Sequence, residues 1–291
     1  MTTSSPGTAG DLGSALAAAA AELAAAGVPA PRVDAELLAA HLLGCSRGRV
    51  RALAFTDAPV PAGYADLVRE RARRIPLQHL TGRAAFRHLE LAVGPGVFVP
   101  RPETETVAQL AIDAARARLA ADGTVRVVDL GTGSGAIAAA VAEEVPEAEV
   151  TAVELSDLAL AWAERNLEPR GVRLVHADLR TALPDEDGRY DVVVSNPPYI
   201  PAAAVPNEPE AADHDPKMAL YGGGEDGLAL PHAAAATAAR LLRSGGFFVM
   251  EHAEVQAQAL ARHLENAGSW LDVRGHEDLN GRPRATSAVK E

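Results

Sequence analysis

Asn196-Pro197-Pro198-Tyr199 follows directly on an apolar run, Tyr190-Asp191-Val192-Val193-Val194, and on Ser195. Such a turn at a strand end suits a planar NH2 group. An amide or exocyclic amine nitrogen delocalises its lone pair into a π-system and is a poor nucleophile. The Asn196 side-chain oxygen and the Pro197 backbone carbonyl can each accept one of its hydrogens, which stabilises the positive charge that grows on nitrogen as a methyl group arrives. Pro197 and Pro198 fix φ, so these acceptors need little reorganisation. Tyr199 offers an aromatic face for a flat substrate group. Asn-Pro pairs also open ordinary turns, so the reading depends on what stands elsewhere in the chain.

A second segment supplies a partner. Val127-Val128-Asp129-Leu130 runs into Gly131-Thr132-Gly133-Ser134-Gly135 and then the alanine-rich Ala136-Ile137-Ala138. Glycines at alternate positions let backbone N–H groups approach a ligand, and the loop opens onto a helix N-terminus. Gly131, Gly133 and Ala136 also satisfy a dinucleotide fingerprint, so the loop alone is compatible with NAD. Glu154 closes the next apolar segment at the distance where an acid takes ribose hydroxyls, a need common to both cofactor types. Only the Asn196 turn separates them, because hydride transfer has no use for paired amine acceptors. Asp178 ends a third apolar segment, Val172 to Ala177, and can accept from an adenine amino group or act as a cap. His176 reads as a packing residue.

These motifs, with Gly94-Pro95-Gly96-Val97-Phe98-Val99-Pro100-Arg101-Pro102-Glu103-Thr104-Glu105, Ile75 to Gly82 and Gly222 to Leu228, resemble the HemK/PrmC family of protein-(glutamine-N5) methyltransferases that modify peptide chain release factors. The likeness covers nearly everything after residue 12. It implies an α/β catalytic domain of the class I S-adenosylmethionine-dependent methyltransferase fold, a doubly wound seven-stranded sheet, with a small N-terminal helical bundle. It further implies that S-adenosylmethionine is held by Gly131, Thr132, Gly133, Ser134, Gly135, Glu154, Asp178, Leu179 and Asn196. Asn196, Pro197, Pro198 and Tyr199 would hold the glutamine amide. Phe98 and Arg101 are read as lining the substrate path, with Arg101 and Glu103 bracing the pocket as an ion pair or gating it, and the same segment also reads as a linker packed on the catalytic domain. The chain departs from the family pattern at His214-Asp215-Pro216, at Ala253, where a glycine is usual, and at Leu179, where some members carry an aromatic residue.

The elements that must position these residues follow from pattern. Helix formers broken by Gly and Pro predict helices over Leu12 to Ala26, Val33 to Leu43, Arg47 to Leu53 and Ala62 to Arg74. Alternation in Phe86 to Val99 predicts a hairpin. Beyond Pro102, apolar runs alternate with helices, and strands are expected at Val125 to Asp129, Glu149 to Glu154, Val172 to His176, Asp191 to Ser195, Gly246 to Glu251, Leu271 to Gly275 and Ala285 to Val289. The expected organisation is a disordered tail over 1–10, a helical substrate-docking domain over 11–85, a linker hairpin over 86–100 and a catalytic domain over 101–291.

The 291 residues leave ample core for both domains. A net charge of −12 argues against broad tracking of nucleic-acid phosphates and suits a basic protein partner. One cysteine, Cys45, permits no internal disulfide and points to the cytoplasm. The histidines show no metal-ligand spacing, so no metal is expected. No apolar run reaches membrane-spanning length, and a monomer without stable nucleic-acid or membrane binding is expected. Three other readings share features: an adenine-N6 nucleic-acid methyltransferase, which lacks here the basic recognition domain with aromatic wedges it would need; a methyltransferase for a ribosomal-protein glutamine, which would share the pocket; and a non-catalytic S-adenosylmethionine-binding adaptor, against which the intact motifs count.

Overall fold

The computed structural model describes residues 11–206 and 208–291. The tail expected over 1–10 lies outside the described residues. The chain divides into two compact units, one of residues up to 82 together with 208–214, the other of 83–207 and 215–291.

The first unit is helical. Helices α1 (Leu12–Ala25), α2 (Pro31–Leu43), α3 (Arg47–Leu53), α4 (Tyr64–Ala72) and α5 (Leu77–Thr81) bury Leu12, Leu16, Leu23, Leu38 and Val50 completely. Asp11 caps α1 through the Ser14 N–H, and Ser46 caps α3 through the Arg49 N–H. Pro31 opens α2 and Gly44 closes it in the left-handed conformation. Helix α4 starts two residues later than its apolar pattern suggests, because Pro61 and Gly63 precede it. Helix α5, outside the helices that the pattern predicts, occupies Leu77-Gln78-His79-Leu80-Thr81 behind Pro76.

The second unit opens with a hairpin of β1 (Arg83–Phe86) and β2 (Leu89–Ala92). The predicted span, Phe86 to Val99, is displaced: the turn falls at Arg87-His88, and residues 93–99 form a loop. Val93, Val97 and Val99 alternate in burial because the loop packs on Trp162 and Leu158, not because it pairs with a strand. Next come α6 (Thr104–Asp122), β3 (Val125–Leu130), α7 (Ala136–Glu144), β4 (Ala148–Glu154), α8 (Asp157–Leu167), β5 (Arg173–His176) and β6 (Tyr190–Ser195). After a segment that includes helix α9 (Pro209–His214), the chain continues through α10 (Lys217–Leu220), α11 (Ala229–Leu241), β7 (Leu242–Glu251), α12 (Ala257–Asn266), β8 (Trp270–Glu277) and β9 (Pro283–Lys290).

Seven strands pair in the order β5-β4-β3-β6-β7-β9-β8. The first five are parallel neighbours, and β9 joins antiparallel between β7 and β8. Central strands β3 and β6 are near-continuous apolar runs because helices cover both faces. One cluster gathers Ile112, Val127, Ile137, Val192 and Leu167, and the other Leu130, Val193, Leu241, Phe248 and Leu260. Chain order reverses between β3 and β6, where a doubly wound sheet opens its ligand crevice.

Helix α9 belongs with the helical unit. Glu210 is its anchor: Arg71 and Arg74 donate to Oε1 at 2.7 and 2.8 Å, and Arg74 donates again to Oε2 at 2.6 Å. Arg71 also bonds Asp34 at 2.8 Å and the Ile75 carbonyl. Arg71 is 5% exposed, so this is a buried ion cluster of two acids and two bases.

Candidate active site

The glycine loop and the Asn-Pro-Pro-Tyr turn leave the sheet side by side. Leu130 and Ser195 are register partners at the ends of β3 and β6, and the Ser195 hydroxyl donates to the Leu130 carbonyl at 2.6 Å. Gly131 and Asn196 are the next residues along those two strands.

On the loop side, Gly131 and Thr132 each donate a backbone N–H to Val153 at 2.9 Å, tying the loop to β4. The Thr132 hydroxyl donates to Asp129 Oδ2 at 2.6 Å, which also accepts the Ala138 N–H. Burial of Asp129 pushes its pKa up to about 7 against those two hydrogen bonds. Asn166 donates to the Ser134 carbonyl and exchanges bonds with Ala92 in the hairpin. At Gly135, with φ of 85°, a Cβ would lie 2.8 Å from Leu167 Cγ, so only glycine passes here into α7. A Cβ at Gly133 would meet nothing within 4 Å, so that residue borders open space.

Glu154 braces this loop. Its Oε2 accepts the Gly133 N–H at 2.8 Å, and Oε1 accepts the N–H groups of Leu155 and Ser156. Burial raises its pKa, and the three N–H groups oppose that rise. Each carboxylate oxygen has two acceptor positions, so Oε2 retains one for a hydroxyl. Leu179 is buried, with Cδ2 3.6 Å from where a Gly131 Cβ would stand. Asp178 is engaged by the backbone and guanidinium of Arg180, whose hydrogen bonds lower its pKa. His176 is not a packing residue: it is exposed, and its ring bonds the Leu155 carbonyl at 2.9 Å. Glycine backbone without Cβ, open space at Gly133 and a buried carboxylate at the end of β4 together fit an adenosyl ligand with its ribose. Among the described residues, no group of three or more His, Cys, Asp or Glu side chains could hold a metal ion.

On the turn side, Asn196 Nδ2 donates to the Thr104 hydroxyl oxygen at 3.2 Å, which directs Oδ1 elsewhere. The Tyr199 hydroxyl donates to Glu251 Oε1 at 3.1 Å. The Tyr199 carbonyl accepts from Gln256 Nε2 at 2.7 Å, and the same amide reaches the Asp226 carbonyl at 2.8 Å. Gly222 and Gly227 fill the back of the turn: a Cβ on Gly222 would sit 2.6 Å from the Pro198 carbonyl, and one on Gly227 2.2 Å from that of Tyr199. That approach accounts for the glycine-rich run Gly222 to Gly227. The Arg101 guanidinium lies 5.2 Å from the Phe98 ring centroid and donates to Asp215 at 2.9 Å. Asp215, in the triplet that departs from the family pattern, is an ionic partner of Arg101. Glu103 stands at the N-terminal cap of α6.

Comparison with known proteins fixes the family. A profile described as PrmC N-terminal domain matches residues 14–82, and one described as methyltransferase small domain matches 94–208. The release factor glutamine methyltransferase of Streptomyces coelicolor is 52% identical over 94% of this chain and 96% of its own. That of Mycolicibacterium smegmatis is 48% identical over 96% and 98%. The chain belongs to the release factor glutamine methyltransferase family. It is an S-adenosylmethionine-dependent methyltransferase. A further relative, the 4-amino-L-phenylalanine/4-methylamino-L-phenylalanine methyltransferase of Streptomyces pristinaespiralis, is 39% identical over 92% of each chain. Among solved structures, the hMettl16 catalytic domain, crystallised with a MAT2A 3'UTR hairpin, aligns over 77% of this chain and 82% of its own, with a TM-score of 0.54 and 17% identity. That likeness concerns the fold alone.

Several residues around the site carry no local signal. Thr104, Glu251, Arg284 and Gln256 gather at the acceptor turn from α6, β7, β9 and the turn before α12. Thr104 lies inside the family-like Pro-Arg-Pro-Glu-Thr-Glu segment, and Glu251 to Gln256 contains Ala253, so the resemblance could have flagged both.

Proposed function

We propose that the chain transfers the methyl group of S-adenosylmethionine to the side-chain amide nitrogen, N5, of the glutamine in the Gly-Gly-Gln loop of bacterial peptide chain release factors. The observation that carries this reading is the pairing of Leu130 with Ser195, which sets the glycine loop beside the amine-acceptor turn in a chain of this family. S-adenosylmethionine supplies an electrophilic methyl group. Gly131 to Gly135 and Leu179 hold the donor, and Glu154 accepts from its ribose; Asp178, whose oxygens Arg180 fills, would reach the adenine amine only by giving up one of those bonds. Asn196 Oδ1 and the Pro197 carbonyl accept the two amide hydrogens, Pro198 stiffens the turn, and the Tyr199 ring flanks the flat amide. Phe98 and Arg101 line its approach. Once methylated, the nitrogen carries an acidic extra proton that leaves to water, so no general base is required. Most of the acceleration comes from position and preorganised acceptors.

Two glycines before the glutamine let the substrate backbone enter a narrow opening. The helical unit docks the release factor. The enzyme works in the cytoplasm as a monomer and holds no nucleic acid stably; no described helix is long and apolar enough to cross a membrane. A second reading rests on the Streptomyces pristinaespiralis relative, because an aryl amine is also a conjugated NH2 that this turn would accept.

Incubation with labelled S-adenosylmethionine and release factors, followed by mass spectrometry, tests the assignment. Label is expected on the Gly-Gly-Gln glutamine and is lost when that glutamine becomes asparagine. Label on 4-amino-L-phenylalanine, DNA or a ribosomal protein in place of the release factor overturns it.

A further inference from the structure

The acceptor turn depends on an asparagine that could present either end of its amide. Rotation by 180° exchanges Oδ1 and Nδ2 with little change in shape, and only hydrogen-bond partners decide between the two. The partner here, the Thr104 hydroxyl, does not decide by itself, since a hydroxyl donates or accepts equally well. Something must hold the Thr104 proton away from Asn196.

Glu251 meets that need. It is 3% exposed at the end of β7, paired in register with Ala285 of β9. The Tyr199 hydroxyl donates to its Oε1, and the Thr104 hydroxyl lies close enough to favour the charged form of the carboxylate. Among the described residues its buried Oε2 has no hydrogen-bond partner, so an acceptor position stands unfilled, while the Thr104 oxygen already accepts from Asn196 and leaves its own proton to be placed. Arg284 of β9 and Glu103 at the start of α6 are the other charges facing it, one lowering its pKa and one raising it. The neighbouring His252 turns its ring to Thr286 and to the Ala253 carbonyl.

We propose that Thr104 and Glu251 are positioning residues that fix the polarity of Asn196: the ionised carboxylate takes the Thr104 proton, the Thr104 oxygen takes the Asn196 Nδ2 proton, and Oδ1 is thereby presented to the substrate nitrogen. The proposal rests on the acceptor role given to Asn196 above. When Glu251 is protonated, it donates to Thr104 in place of accepting, Thr104 can donate to Oδ1, and the amide turns its NH2 towards a substrate that has only hydrogens to offer. Burial raises the Glu251 pKa to about 7, so the switch falls where turnover is measurable.

Four measurements on the full-length enzyme at saturating donor test this. Thr104→Val, which keeps the shape and loses the hydroxyl, is expected to lower kcat roughly 10- to 100-fold with donor affinity by calorimetry unchanged. Thr104→Ser restores the hydroxyl and is expected to recover most of it. Wild-type kcat falls on the acid side with an apparent pKa near 7, and Glu251→Gln, which cannot titrate, loses that limb. Burial also raises Asp129 to about 7, but a limb that came from Asp129 would persist in Glu251→Gln, which separates the two. Wild-type kcat in Thr104→Val, equal impairment in Thr104→Ser and Thr104→Val, or an unchanged acid limb in Glu251→Gln would each overturn the proposal. If Asn196→Ala itself turns over normally, the underlying acceptor role fails first, which keeps the two failures distinct.

Discussion

Asn196 and Glu154 do different work although each is one side chain at the end of a strand. Among the described residues Asn196 makes one side-chain bond, to Thr104, so Asn196→Ala leaves the fold and donor affinity in place while lowering kcat by roughly two to three orders of magnitude. Single-turnover kinetics beside calorimetry checks both halves. Glu154 accepts three backbone N–H groups, one from Gly133 and two from the start of α8. Glu154→Ala therefore loses a charged bond to ribose, worth about 1.5–3 kcal/mol, and loosens the loop as well, so donor affinity falls by at least that amount. Unchanged affinity in titration calorimetry would reject the ribose assignment. Both residues are legible in the sequence because each ends an apolar run. Glu251 also ends an apolar run and Thr104 lies in a family-like segment, but their meeting with the turn is not legible, since they lie 92 residues from Asn196 and 52 from Tyr199 and reach it only once the sheet has formed. Nor does Asp178 announce in sequence that Arg180 will occupy its oxygens.

Among the elements, the strands were readable as apolar runs and their ends fall within a few residues of expectation, β7 excepted, which begins at Leu242 because it pairs with Tyr190 before the bulge. The hairpin was misplaced because alternating burial in residues 93–99 mimics a strand, while its cause is contact with α8. Helix α9 is the least legible element, since its grouping with α4 depends on Glu210 meeting Arg71 across 139 residues. Burial would raise the Glu210 pKa, but Arg74 and Arg71 bring it down to about 2. Because the folded value is depressed, this contribution is complete above the ordinary carboxylate pKa of about 4.3 and fades as pH falls towards 2. Hydrogen exchange in 208–214 should accelerate in that window, and Glu210→Ala should show the fast exchange at neutral pH. Breaking a buried pair costs about 3–5 kcal/mol, enough to release this short helix.

At the scale of the whole molecule, the charge of −12 favours encounter with a basic partner, so association with the release factor should slow steeply as salt rises. Stopped-flow mixing at several ionic strengths measures this, and a flat response would remove electrostatic steering. Deleting residues 1–82, which leaves β1 whole where a start at Phe86 would cut it, is expected to keep donor binding and lose activity on the intact release factor. Undiminished activity would show the helical unit dispensable for docking. The return of α9 to that unit has a bearing on biosynthesis. A ribosome delivers Asp34, Arg71 and Arg74 long before Glu210, so the nascent helical unit carries two guanidinium groups against one carboxylate while β3 to β6 are still being made. The segment that neutralises the surplus emerges only after the acceptor turn, so the amino-terminal unit receives its last piece when β3 to β6 have already been made and β7 to β9 have not.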